Sequence, residues 1–298
     1  MNQSNSHIVV LSATGLLFLS LLALYAFGYT VPNVKKGQPT EDQPELILNE
    51  ETVLAEARAA LDSSQVAFLT ALDQERTQSD DIRQEAEVLK LISRTWYEYG
   101  NFFISGYYAK KVAELLQTGD AWSIAGTTYG SAFSRAKKND LKKLAAQQSI
   151  AALSQARELQ PDSIQHRINE GLMYIELSTV DATVMPMKGV GMLQQLAQEY
   201  PDNVPVLMTL GRLSATRSGD LAKAKPRFEK VLQIAQKSAV ERDIQLEAHF
   251  FLADVYKEEE NTEKVLYHYD QMLALTVDQP GVQEQLKRVK EQYETTLQ

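Results

Sequence analysis

The side chains in this sequence best suited to chemistry are its four histidines, His7, His166, His249 and His268. A helical zinc site of the hydrolase type places two histidines four residues apart, with a glutamate next to the first. No two histidines have that spacing here. His268 and Asp270 are two residues apart, and side chains at that spacing do not face each other on a helix. The sequence therefore predicts no metal site and no cofactor.

Motifs for covalent or phosphate chemistry are also missing from the sequence. It contains no Gly-x-Ser-x-Gly elbow, no phosphate-binding loop ending in Gly-Lys-Ser/Thr, and no cysteine. The Lys-Gly-Val-Gly stretch at 188–191 is too short for a dinucleotide fingerprint, and we interpret it as a close approach of two helices. The acidic run at 258–260 is interpreted as solvated charge at a helix end. We expect a protein that is not an enzyme.

The charge balance argues against nucleic acid as a partner. The 298 residues carry 39 acidic and 30 basic side chains, for a formal net charge of −9. Phosphate contacts need lysine and arginine clustered on one surface. Adjacent basic residues occur at 35–36, 110–111, 137–138 and 142–143. We interpret these pairs as solvated helix faces.

An uncharged apolar run begins at Ile8 and ends at Val31. A run of about 20 apolar residues matches the hydrocarbon thickness of a bilayer. Tyr25 and Tyr29 stand near its end, where amphipathic rings favour the membrane interface. The sequence therefore predicts a tail and one transmembrane helix in residues 1–31, with the membrane contact made by residues 8–31.

A cleaved signal peptide is the alternative for this segment. Signal peptides begin with a basic region, whereas residues 1–7 contain no lysine or arginine. The small-x-small pattern at 26–28 keeps the alternative open. If the helix is retained, Lys35 and Lys36 on its C-terminal side favour a cytoplasmic body by the positive-inside rule. We expect a single-pass protein of the bacterial inner membrane, with the side that carries the body left open.

Residues 32–49 contain three prolines and mixed polar residues, which predicts an extended tether. Residues 50–78 are predicted to form one lead-in helix that starts at the N-cap Asn49. The spacing of Leu54, Leu61 and Phe68 resembles a heptad. We expect this helix to pack against the repeats that follow, and the same spacing leaves a homo-oligomer open.

Residues 79–278 contain recurring pairs of a small residue and a nearby bulky one. Glycine at a helix crossing admits the partner backbone, and a ring one turn away fills the contact. Matches occur at Trp96 with Gly100 and Phe103, at Trp122 with Gly126 and Tyr129, at Gly171 with Tyr174, at Leu210 with Gly211, and at Ala253 with Tyr256.

This pattern resembles the tetratricopeptide repeat (TPR) family. The resemblance implies an all-α fold, a TPR-like α-solenoid of about five helix pairs, which would follow the one transmembrane helix predicted from the apolar run. An amphipathic capping helix is predicted in residues 279–298, with Val282 and Leu286 on its apolar stripe. The small residues are spaced unevenly, against about 34 residues in the family. Extra residues are therefore expected in turns near 135–144, 179–189 and 236–243.

The resemblance also implies a concave groove that is lined by the first helix of each pair. The residues that would face it are Tyr97, Asn101, Ser123, Thr127, Met208, Arg212, Phe250 and Asp254. Met208 and Phe250 equally fit a place in the core. The predicted function is a membrane-anchored scaffold that binds a peptide or helix of a protein partner. The alternative is a structural subunit of a larger membrane or envelope complex.

Overall fold

A computed structural model describes residues 48–297, which form thirteen α-helices and no strand. The predicted all-α class is confirmed for this part of the chain. The predicted transmembrane segment (8–31) and most of the tether lie outside the described residues. Within residues 48–297, no helix has both the length and the apolar character needed to cross a bilayer.

The helices follow one another with short connections. The first eight are α1 (Glu50–Ala59), α2 (Ser63–Thr77), α3 (Ile82–Glu98), α4 (Phe102–Leu116), α5 (Gly119–Arg135), α6 (Asn139–Leu159), α7 (Ile164–Leu177) and α8 (Met187–Glu199). The other five are α9 (Val204–Arg212), which continues in a π-helical turn (Leu213–Arg217), α10 (Leu221–Ala235), α11 (Arg242–Glu258), α12 (Thr262–Leu275) and α13 (Pro280–Thr296). Short turns make sequence neighbours pack as helix pairs, and α3 to α12 give five such pairs.

The chain divides into two compact units, with the boundary between Pro201 and Asp202. The first unit contains α1 to α8, and its core is built around Trp96, Ile104 and Tyr129, which are all almost fully buried. Phe103 meets Tyr129 edge to face, with ring centroids 5.3 Å apart. The aromatic-rich sequence at the end of α3 and the start of α4 therefore forms an inter-helix seam, as its pattern indicated.

The second unit contains α9 to α13. Phe228 of α10 is fully buried and stacks on Phe251 of α11, with ring centroids 4.8 Å apart. Gly211 of α9 makes room for it, because a Cβ at that position would lie 2.7 Å from the Phe228 ring. Val282 and Leu286 of α13 are buried in the same core. The predicted capping helix is therefore present.

Close helix crossings occur where most of the predicted glycines stand. A Cβ on Gly126 would lie 2.5 Å from Leu153 of α6, and one on Gly189 would lie 2.1 Å from the carbonyl oxygen of Gly171. Gly100 differs, because it lies in the α3–α4 turn with φ +78° and with open space around it. In that pair the hydroxyl of Ser93 on α3 donates to the carbonyl oxygen of Ser105 on α4 at 2.8 Å.

The predicted single lead-in helix is wrong, because the segment forms two helices. Asp62 ends the connection after α1 and caps α2 by accepting from the backbone N–H groups of Ser64 and Gln65. The Gln65 side chain accepts in return from the Asp62 backbone N–H at 3.1 Å. This reciprocal capping box is more favourable at Asp62 than continuing the helix through it.

The connections agree only partly with the predicted turns. Residues 178–186 and 236–241 form the longer connections, as expected. Between α5 and α6 the connection has only residues 136–138, and the extra length lies in α6, which has 21 residues. The insertion therefore lengthens a helix there and does not enlarge the turn.

Candidate protein-binding groove

The four predicted groove residues of the first unit have different surroundings. Tyr97 is 42% exposed and packs edge to face on Phe102. Asn101 is the N-cap of α4, and its side-chain oxygen accepts from the backbone N–H of Ile104 at 3.3 Å. Ser123 is partly buried, and Thr127 is exposed on the same helix, α5. Asn101 therefore stabilises a helix start, and replacing it would also lower stability.

The other four residues belong to the second unit. Met208 is buried in the core, so it is unavailable to a partner. Arg212 forms a two-pronged ion pair with Glu247 of α11, and Asp254 pairs with Lys257 one turn along its own helix at 3.2 Å. Phe250 is half-buried and contacts Phe251. This set forms an ion-paired, partly buried surface.

A deeper groove lies in the first unit between α3, α4 and α5, with a volume of about 500 Å³. Tyr97 of α3 and Ile124 of α5 stand on its two walls. The floor is supplied by α4, through Ser105, Ala109, Val112 and Leu116. Of the predicted residues in this unit, Tyr97 lines the groove, and Asn101, Ser123 and Thr127 do not.

The floor residues of the groove lie in one row along α4. Ser105, Ala109, Val112 and Leu116 follow one another at intervals of four, three and four, so they share one face of α4. Ser105, Ala109 and Val112 are almost fully buried, so this row lies at the bottom of the groove, between α3 and α5, which both pack against α4. Ile124 remains 61% exposed at the edge of that space.

The charges at the rim are largely neutralised within their own helix. Lys90 donates to Glu87 at 2.7 Å and Arg94 donates to Glu98 at 2.9 Å, both along α3. Such exposed pairs are weak and are screened by salt. Recognition in this groove would therefore depend on apolar contact and shape more than on charge.

The opposite side of α4 is covered by α1. Glu50 at the start of α1 accepts from Lys110 of α4 at 3.1 Å and from the hydroxyl of Tyr129. Burial and the neighbouring Glu50 carboxylate raise the pKa of Tyr129. Arg58 also donates to the hydroxyl of Tyr108 at 3.1 Å. The lead-in segment therefore packs on the repeats as expected and leaves the groove face open.

Ile124 is the main groove residue that the sequence reasoning missed. The family resemblance pointed to Ser123, one position earlier on the same helix. An isoleucine between the polar residues Ser123 and Thr127 was the available signal, because a lone apolar side chain on a polar helix face has no core to enter. Deciding between the two positions required the orientation of α5 relative to α4.

A second cavity, of about 450 Å³, lies in the second unit between α10, α11 and α12. Two buried histidines line it, and the Nδ1 atoms of His249 and His268 are 2.8 Å apart, within hydrogen-bond distance. The pKa of each is lowered to about 4, by burial for His249, and for His268 by burial first and then by the charges of His249 and Lys264. The Tyr256 ring stacks on His268. Among residues 48–297, no group of three or more metal-binding side chains comes together.

Comparisons with known proteins give fold-level similarity only. The sequence matches no family model and no curated protein. It is similar to the solved structure of MamA 41-end from Desulfovibrio magneticus RS-1, with 13% identity, a TM-score of 0.43 and coverage of 65% of this chain and 96% of that chain. It is also similar to YrrB, described as a TPR protein with an unusual peptide-binding site, with 16% identity, a TM-score of 0.36 and coverage of 76% and 99%.

A third similar structure is the Cut9–Hcn1 hetero-tetramer of the APC/C, with 13% identity, a TM-score of 0.45 and coverage of 80% of this chain but 42% of that chain. Similarities at this level assign neither a family nor an activity to the chain.

Proposed function

We propose that this chain is a membrane-anchored helical-repeat scaffold that holds a helical segment of a partner protein in the α3–α4–α5 groove. The observation that carries the proposal is the groove itself, with Tyr97 and Ile124 exposed on its walls above an apolar floor. The membrane anchor is proposed from the apolar run at 8–31 in the sequence.

A helix is the occupant that these features favour. Ala109, Val112 and Leu116 form an apolar row at the bottom of the groove. Together with the exposed Tyr97 and Ile124 they offer an apolar surface to the apolar stripe of a partner helix. Lys90 and Arg94 at the rim already pair with acidic residues along α3, and Asp120 of α5 also lines the groove, so apolar contact outweighs charge in selecting the partner. A partner segment with apolar residues at i, i+3, i+4 and i+7 would fit this row.

The test begins by identifying the segment that lies in the groove. A photo-crosslinking amino acid at position 124, introduced in cells that express the full chain, should capture one protein through residues at helical spacing. The Ile124→Glu variant should then bind the purified partner segment about 30-fold more weakly, since roughly 2 kcal/mol of apolar contact is lost. Binding is measured by titration calorimetry.

Ile82 supplies a matched control. It is 60% exposed, against 61% for Ile124, but it stands at the first position of α3 and not in the groove. Ile82→Glu should keep the affinity of the unmodified chain. The proposal is refuted if Ile124→Glu and Ile82→Glu bind the captured segment equally well.

The structural-subunit alternative gives a different result in the same experiment. Were the captured protein to remain bound in stoichiometric amount in detergent at high salt, and were the Ile124→Glu change to disrupt nothing, the chain would be a fixed component of a larger complex. Broad contact over several faces produces that behaviour, whereas a single groove does not.

A further inference from the structure

The turn between α5 and α6 concentrates positive charge in a chain that is otherwise acidic. Residues 135–143 include five basic side chains and one acidic one, Asp140. We call these five residues the basic patch: Arg135, Lys137, Lys138, Lys142 and Lys143. Within residues 48–297, only Lys143 among them forms an ion pair. Arg135 and Lys142 lie over the rings of Phe102 and Phe133, at 4.4 and 5.5 Å from the ring centroids. Lys137 and Lys138 are therefore the exposed cations of the patch that have neither an ion pair nor a ring contact within residues 48–297.

A loop with exposed methionines lies next to the basic patch. Lys143 donates to Asp181 at 3.1 Å, which joins the start of α6 to the connection between α7 and α8. Met185 and Met187 in that connection flank Pro186, and Met185 is 71% exposed. We call residues 178–187 the methionine loop.

The methionine loop is held in place by its own contacts. Asp181 accepts from the backbone N–H and the hydroxyl of Thr183, at 3.0 and 2.6 Å. Val180 and Val184 pack against the core beside residues of α6. The methionine loop is therefore ordered by its own hydrogen bonds and joined to the basic patch through Lys143.

We propose that the basic patch and the methionine loop together contact the anionic headgroups of a lipid bilayer. Lysine and arginine gain energy near anionic lipid, and flexible apolar side chains beside them enter the boundary between headgroups and acyl chains. A nucleic acid would bind the cations through its phosphates, but it would give the methionine side chains no apolar surroundings to enter. The combination therefore favours a membrane surface.

The proximity of that surface rests on the anchor in the proposed function. Residues 32–47 separate the apolar run from the first described residue and span at most about 58 Å when fully extended. The folded body would thus remain close to the bilayer that holds residues 8–31. The patch would set which face of the first unit turns towards the lipid.

The experiment uses the full chain in nanodiscs and a single fluorescent label. Because the chain has no cysteine, Met185→Cys gives one labelling site. In nanodiscs that contain phosphatidylglycerol, the label should shift its emission to shorter wavelength and be quenched by spin-labelled lipid. In discs of phosphatidylcholine alone, and in high salt, both effects should be lost.

Two matched controls locate the effect. Val277 is 72% exposed in the second unit, so a label placed by Val277→Cys should show no lipid quenching. Replacing Lys137 and Lys138 by glutamine should abolish the signal at position 185. Replacing Lys287 and Arg288 of α13 by glutamine removes the same charge elsewhere and should leave the signal unchanged.

The remaining outcomes distinguish failure of the lipid contact from failure of the proposed membrane anchor. A chain that stays in the disc while its label is unshielded, or is equally shielded in both lipids, overturns the lipid contact alone. A chain that leaves the disc overturns the anchor, and flotation with phosphatidylglycerol vesicles then decides about the patch. There the Lys137→Gln, Lys138→Gln change should weaken binding roughly 30-fold. Shielding of the label by added RNA instead of lipid would also overturn the proposal.

Discussion

At the scale of single residues, the pair His249 and His268 shows how burial lowers the pKa of a histidine side chain. One Nδ1–H lies between the two rings, so the bond needs one ring whose Nδ1 carries no proton, and protonation of both rings breaks it. Glu229 of α10, Lys264 and Tyr267 of α12 line the same cavity. Glu229 is already engaged by the hydroxyl of Tyr256 at 2.8 Å and is not bonded to either ring.

We expect the free energy of unfolding to fall when the pH drops from about 6.5 towards 4. An unfolded histidine has a pKa of about 6.5, whereas these two have a pKa of about 4 in the folded chain. The unfolded state therefore binds more protons in this window, and stability is complete only above it. Between pH 7 and pH 5 the loss is about 2 kcal/mol for each histidine. Urea unfolding followed by far-UV circular dichroism measures it.

Carboxylates also titrate in part of this pH range and change the stability. A variant without the two imidazoles is therefore needed to show how much of the loss comes from the histidines. Replacing both His249 and His268 by glutamine keeps hydrogen-bonding side chains but removes the titration. The double variant should lose much less stability than the unmodified chain between pH 7 and pH 5. A loss of the same size in both would show that the buried pair is not its cause.

At the scale of helices, two glycines of α8 allow the effect of close packing to be measured apart from the effect of helix propensity. A Cβ on Gly189 would lie 2.1 Å from a backbone carbonyl oxygen of α7, whereas one on Gly191 would meet nothing within 4 Å. Gly189→Ala should therefore destabilise the chain by at least about 3 kcal/mol, since two backbones must separate. Gly191→Ala should stabilise it by about 0.5–1 kcal/mol.

Thermal unfolding of both alanine variants measures this difference, and each serves as the control for the other. The two positions share one helix and undergo the same chemical change, so only the surroundings differ. A similar melting temperature for both variants would mean that α7 and α8 do not approach at Gly189. Survival of Gly189→Ala without loss would contradict the close crossing most directly.

The sequence allowed the helix pairs to be predicted, but it did not fix in every pair which residue lies where the two helices cross. Gly126, Gly171 and Gly211 were recognised because only a very small residue fits where two helices meet. Gly100 was misassigned because glycine is also favoured where φ is positive, and composition cannot distinguish the two uses. The break after α1 was readable in principle, since Asp62 and Gln65 have the spacing of a capping box.

The groove was harder to predict than the fold for a physical reason. A family pattern fixes which residues enter the core, because those residues must fit their neighbours. It fixes the outward residues only to within one position, since a rotation of a helix by a fraction of a turn exchanges Ser123 for Ile124 at the groove edge. The same uncertainty explains why Met208, which was predicted to face the groove, is buried in the core.

At the scale of the whole molecule, the proposed orientation rests on two lysines beside the apolar run and is compatible with the basic patch. Lys35 and Lys36 follow the apolar run, and the positive-inside rule places such residues in the cytoplasm. The basic patch, from Arg135 to Lys143, would be attracted to the anionic lipid of the cytoplasmic leaflet. A body on the cytoplasmic side satisfies both tendencies at once, with residues 1–7 on the other side.

We therefore expect trypsin added to sealed bacterial spheroplasts to leave the folded body intact, and trypsin added after lysis to cut it. Replacing Lys35 and Lys36 by glutamate should move part of the population to the opposite orientation, because the charges that hold the flank inside are reversed. Replacing Lys287 and Arg288 by glutamate makes the same charge change far from the apolar run and should not alter the protection.

Digestion of the unmodified body in intact spheroplasts would reverse the proposed orientation, and recovery of the chain in the soluble fraction after lysis would remove the anchor. Because the patch variants leave residues 1–47 untouched, they should remain protected in this assay even when their lipid contact is lost.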